Sequence, residues 1–206
     1  MIDIHRRELE WASIQDNLKV ADIILTRKDP SIISGAIRRQ TKSYWSHAAM
    51  VFAVPEKGTR FNNVLVVEAM GNGIEIHRIQ KYIKHFRIFD IGVKRMPGLN
   101  DKERERILAF MLNNVDVPYD TTRLFLILLR TLTNRIFPWL STKMINKDDF
   151  ICTSFIQKAF IEAVPDDRKD AVTIKETSGS NLHLEDITPK DLARTNILEW
   201  VYNRHV

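Results

Sequence analysis

The sequence predicts an α+β fold, a small and mainly antiparallel sheet or half-barrel packed on a helix that begins at Cys152, and three observations carry that reading. Two apolar runs of strand length, His47 to Val54 and Asn63 to Met70, flank the turn-like segment PEKGTRFN. Asp101 to Val115 gathers Ile107, Leu108, Phe110, Met111, Leu112 and Val115 on one side and charges on the other, as an amphipathic helix does. From Cys152 onward, Phe155, Ile156, Ala159, Phe160 and Ala163 recur at helical spacing, so the thiol lies on the buried face of a helix, in its first turn.

The remaining elements follow in chain order. Ile4 to Leu18 is a polar segment of short-helix type that leads into a first strand at 20 to 26, which contains Asp22. Residues 27 to 46, with Pro30, Gly35, serines and several cations, read as a long surface loop or a loop with one helical turn. The two apolar runs make a β-hairpin turning near Lys57 and Gly58, and because both are apolar on both faces they are expected to be central strands. Further strands are expected at 74 to 79 and 86 to 93. Pro118 breaks the chain after the helix at 101 to 115, and a greasy second helix spans 121 to 136, ending before Pro138. A third helix covers 150 to 163, a polar stretch at 166 to 181 reads as an exposed loop, and a short helical turn and an edge strand close the chain between Pro189 and Val206. Residues 1–206 are thus expected to form a single domain with a helical insertion at about 101–140.

Composition excludes several classes. The chain has 206 residues and 44% hydrophobic content, enough for one core and too apolar for a disordered protein. Its net charge of +5 is a small surplus of 31 Lys and Arg over 26 Asp and Glu. The basic clusters Arg38–Arg39 and Lys102–Arg106 are short, and the second alternates with acids, so no nucleic-acid partner is expected. The single cysteine excludes an intrachain disulfide and any multi-thiolate metal site. With charges in the first residues and no long apolar run, neither a signal peptide nor a transmembrane segment is seen, and a cytoplasmic location is expected.

Cys152 read alone is more often a small buried core residue than a nucleophile. Its place at a helix start favours the thiolate, because unpaired backbone N–H groups and the positive end of the helix dipole face it. Of the six histidines only His47 begins an apolar strand. Glu68 interrupts the run Val64 to Val67, and a carboxylate in a buried strand needs a partner. A hairpin turn centred between Lys57 and Gly58 sets His47 directly opposite Glu68, on one face and within reach. Such a pair holds the tautomer of a base, and it is also what a structural His–Glu pair looks like. A zinc site built from His47, Glu68 and Cys152 lacks regular ligand spacing, so no metal is assigned.

The order ADIILTR, YWSHAAMVF, VLVVEAM, VPYD, FICTSFIQKAF and ITPKDLA resembles the YiiX/YaeF-type cysteine hydrolases. These are a circularly permuted branch of the NlpC-like papain-fold superfamily, related to the lecithin retinol acyltransferases. The resemblance runs from about residue 19 to about residue 200, and its most specific parts are Ser46–His47, Glu68 and Cys152. It implies a permuted papain-like fold in which Cys152 is the nucleophile, His47 the general base and Glu68 the orienting acid, with no cofactor. Tyr44, Asp22, Ser46 and Tyr119 fall near the site in motif order. Relatives often carry a Ser–Glu pair after the cysteine, whereas Thr153–Ser154–Phe155 follows here.

The implied reaction is hydrolysis of an amide or ester in a small-molecule, peptide or lipid-derived substrate, through an acyl-enzyme. A lipid-directed acyltransferase or lipase of the same fold, and a non-catalytic ligand-binding module, are the alternatives. The apolar stretch within 121–140, with Arg123, Arg130 and Arg135 spaced through it, is a candidate for weak membrane-surface contact.

Overall fold

Strands buried on both faces build the centre of the structure. The computed structural model describes residues 14, 17–54, 64–70, 73–83, 89–115, 152–174 and 187–203. Among them, six strands form one open antiparallel sheet: β1 (Ile23–Lys28), β2 (His47–Ala53), β3 (Leu65–Met70), β4 (Gly73–Arg78), β5 (Phe89–Arg95) and β6 (Glu199–Tyr202). Their spatial order is β4-β3-β2-β1-β5-β6, which puts β2 and β1 at the centre. This is an α+β architecture, as the sequence predicts.

The two faces of the sheet carry separate cores. Ile23, Leu25, Ala48, Met50, Val67 and Ala69 face one layer, which holds Phe155, Ile156, Ala159 and Phe160 of the helix Cys152–Ala163 and Ile107 and Met111 of the helix Asp101–Asn113. Ile24, Ala49, Val51, Val66, Ile91 and Val93 face the other, covered by Ile14, Leu18, Ile79 and Tyr82. The expectation that the two apolar runs are central strands buried on both sides therefore holds. In chain order the helices are α1 (Ile32–Thr41), α2 (Gln80–Ile83), α3 (Asp101–Asn113), α4 (Cys152–Ala163), α5 (Lys169–Val172) and α6 (Pro189–Arg194). Asn100 and Glu103 form a reciprocal capping box that starts α3.

Four expectations are corrected. The first strand begins at Ile23, because Asp22 N–H donates to Lys19 O and Ala21 adopts φ 71°, which makes 20 to 22 a turn. The segment read as a loop carries the ten-residue helix α1, capped by the Ser31 side chain at its start and by Lys42 in the left-handed region at its end. Within 166 to 174 the chain forms a 3₁₀ turn and α5, and Val172 and Ile174 are buried rather than exposed. In the hairpin, Met50 pairs with Val67 and Val51 with Val66, and the register shifts between Val51 and Ala53. Continued along the ladder, that register sets Ala49, not His47, opposite Glu68. The displacement is an even number of residues, so His47 and Glu68 stay on one face as diagonal neighbours. The hairpin turn at Lys57–Gly58, the helix expected at 121 to 136 and residues 175 to 181 lie outside the described residues.

Close approach of two indoles explains one glycine. A Cβ on Gly92 would stand 2.8 Å from Trp45 Cζ2 and 3.0 Å from Trp200 Cζ3. Gly92→Ala is therefore expected to destabilise the protein by about 1–3 kcal/mol through overpacking. The urea midpoint should fall at unchanged slope.

Candidate active site

A strand start, a strand interior, a short helix and a helix start converge here. His47 is the first residue of β2 and is paired with Thr26 of β1. Strand alternation turns Glu68 toward the Tyr82 side of the sheet, while Ala48 and Met50 face α4, which starts at Cys152. His47 stands where these layers meet. Its Nε2 lies 2.7 Å from Glu68 Oε2, which leaves Nδ1 as the ring nitrogen for a second partner, and the Cys152 thiol is near enough to the ring for the two groups to shift each other's pKa.

The Glu68 side chain is fully buried and has three donors. Besides His47, Tyr82 Oη donates to Oε2 at 2.5 Å and Lys81 Nζ to Oε1 at 2.7 Å. His77 Nε2 lies 3.5 Å from Oε1 and 2.9 Å from Glu75 Oε2. Burial disfavours the carboxylate, but the hydrogen bond and charge of His47 and then those of Lys81 outweigh it, holding Glu68 well below the ordinary carboxylate range. Burial pushes the Tyr82 phenol up, and the Glu68 charge adds to that, so Tyr82 stays a donor.

The thiol and imidazole shift in opposite senses. Burial works against a charged Cys152, yet the charge and hydrogen bond of His47 and the backbone groups of Ala48 and Thr153 lower its pKa. Burial also works against a charged His47, but the Cys152 thiolate and then Glu68 raise it to about 10. Together these shifts favour a thiolate–imidazolium pair over a neutral thiol and imidazole.

The other expected residues are placed as follows. Ser46 accepts from Ser34 Oγ at 2.8 Å and donates to Thr26 O at 3.3 Å, tying α1 to the start of β2 one residue before His47. Tyr44 donates to Asp90 Oδ2 and stacks under Arg27, whose Cζ is 4.4 Å from the ring centre. Burial and Asp90 push the phenol up to about 12. Asp22 is not brought together with His47: β1 pairs Thr26 with His47, and Asp22 lies beyond the opposite end of that strand. There it takes Lys19 N–H and a two-point contact from Arg95, at 2.7 Å on each oxygen. Tyr119 and the segment 121–140 fall outside the described residues.

Lys81 and Tyr82 were not singled out by the sequence. The available signal was stoichiometric, since an ionised carboxylate offers about four acceptor sites and one imidazole fills one of them. Among the described residues no group of three or more His, Cys, Asp or Glu could hold a metal, and no helix is long and apolar enough to cross a membrane.

The family described as permuted papain-like amidase enzyme, YaeF/YiiX, C92 family, matches residues 17–125, just over half of the chain. The match takes in His47, Glu68, Lys81 and Tyr82, and Cys152 lies beyond it. No curated protein matches the chain.

The depressed carboxylate has a measurable consequence for stability. A carboxyl that ionises more readily folded than unfolded stabilises the protein fully above its unfolded pKa of about 4.3 and loses that contribution as pH falls through its folded value. Denaturant midpoints measured from pH 6 downward should fall more shallowly for Glu68→Gln than for wild type. Identical slopes would show that Glu68 titrates alike folded and unfolded.

Proposed function

The chain belongs to the YaeF/YiiX family of permuted papain-like amidases, and from that premise we propose that it hydrolyses amide or ester bonds through a Cys152–His47–Glu68 triad and a thioester intermediate. The observation that carries the reading is the convergence of three groups from separate elements: His47 Nε2 lies 2.7 Å from the buried Glu68 carboxylate, and the Cys152 thiol sits close enough to the same ring to be electrostatically coupled to it.

His47 Nδ1 takes the thiol proton, and the thiolate attacks the substrate carbonyl carbon. The carbonyl π pair moves to oxygen, where backbone N–H groups in the unpaired first turn of α4 stabilise the oxyanion. As the oxyanion collapses, the bond to the leaving nitrogen or oxygen breaks, and His47 returns the proton to the leaving group. Water then gives a proton to His47 and attacks the thioester, the C–S bond breaks, and the acid product departs with thiol and imidazole restored. Glu68 holds the ring and stabilises the imidazolium at both proton transfers.

Iodoacetamide alkylation of Cys152, followed against pH by mass spectrometry, tests the coupling. The wild-type midpoint should lie well below the value of about 8.5 for a free thiol, His47→Ala should move it near that value, and Glu68→Gln should fall between. One shared midpoint near that of a free thiol would sink the triad.

Turnover separates chemistry from folding. Cys152→Ser and His47→Ala should each abolish hydrolysis of activated acyl donors while the folded circular dichroism spectrum is kept. Near wild-type hydrolysis by either variant would exclude the assigned roles.

A further inference from the structure

We infer that Tyr82 and Lys81 are positioning residues of this site, acting through Glu68 rather than on substrate; the inference rests on the triad reading. Both come from α2, a single turn between β4 and β5, and each takes a different oxygen of the carboxylate. Tyr82 Oη shares Oε2 with His47, and Lys81 Nζ takes Oε1. The carboxylate plane is thereby fixed at both ends, and His47 meets an oxygen whose direction is set before the imidazole engages it.

The surroundings explain why such a clamp is needed. A buried carboxylate beside an imidazolium can take its proton, which would leave a neutral pair with no charge to stabilise the thiolate partner. A phenol and an ammonium that donate to the ionised form oppose that transfer. Tyr82 is itself fixed, since its ring is buried and packs edge-on against Phe89 at 5.1 Å. Lys81 is about one-third exposed, and its ammonium lies 5.6 Å from the centre of the Tyr82 ring. The charged and titratable groups around Glu68 are His47 from β2, Glu75 and His77 from β4, Lys81 and Tyr82 from α2, and Cys152 through His47.

A purely packing role and a positioning role differ in the acid limb of Cys152 alkylation. With donors removed, Glu68 protonates at higher pH, and thiolate character is lost with its charge. Tyr82→Phe and Lys81→Met should each move the acid midpoint up by about one pH unit. The double variant should move it further, and Lys81→Arg, which keeps the cation, should stay near wild type. Glu68→Gln is the internal control. If it shifts the midpoint while the folded α2 variants keep the wild-type value, the positioning role is wrong and the triad stands. If Glu68→Gln itself has no effect, the triad reading fails and this inference with it. Should Tyr82→Phe not fold, Lys81→Met at its more exposed position decides the matter alone.

Discussion

The fold is arranged around a charge that the sheet has taken out of water. Glu68 sits inside β3 with its side chain fully buried, and an unpaired carboxylate in that position would cost several kcal/mol. Its partners must therefore come from other elements, and the topology brings them. β2 runs antiparallel to β3 and starts with His47; β4 runs antiparallel on the other side and hands the chain to α2, which carries Lys81 and Tyr82. Both halves of the carboxylate environment thus depend on the same three-strand meander.

The thiol is delivered from the opposite layer by a different device. α4 is greasy along nearly its whole length, and burial of Phe155, Ile156, Ala159 and Phe160 against the sheet fixes both its height and its rotation. Thr153 Oγ1 donates to Ile187 O, while Gln157 donates to Val172 O and accepts from Ile174 N–H, so the helix is also tied to two later segments. With α4 held this way, Cys152 meets the start of β2. The proposed nucleophile and base come from segments about a hundred residues apart in sequence, yet each is set by the packing of its own element.

Much of this was legible because burial has a period. The continuous apolar runs of β2 and β3, the 3.6-residue pattern of α3 and α4, and the lone carboxylate among valines all point to the sheet, to the cysteine helix and to the His47–Glu68 pair. What the pattern missed was local hydrogen bonding. α1 hides behind Pro30, Gly35 and its serines, although Ser31 and Lys42 cap it. Asp22 falls near the site in motif order, but the sequence carries no sign of the Arg95 that holds it elsewhere. The hairpin register could not be read from hydrophobicity, and the irregularity between Val51 and Ala53 leaves no mark there either. The face shared by His47 and Glu68 was legible all the same, since an even displacement preserves it.

Asp22 and Glu68 show what separates a structural buried acid from the acid of the proposed triad. Both are buried and both pair with a cation. Burial raises the pKa of Asp22 against the opposing contacts of Arg95, and the guanidinium opposite it holds its proton at any relevant pH. That pair can only stay as it is, and it works as a clip between the turn at 20 to 22 and β5. Glu68 faces an imidazole, the side chain whose ordinary pKa lies nearest neutrality, and that imidazole has a thiol on its other side. Proton transfer within the second group changes charge without breaking a contact, because the carboxylate keeps its three donors in either state of the thiol. A buried acid held by several donors, one of which can itself gain and lose a proton, is what the proposed reaction, which moves one proton twice, requires.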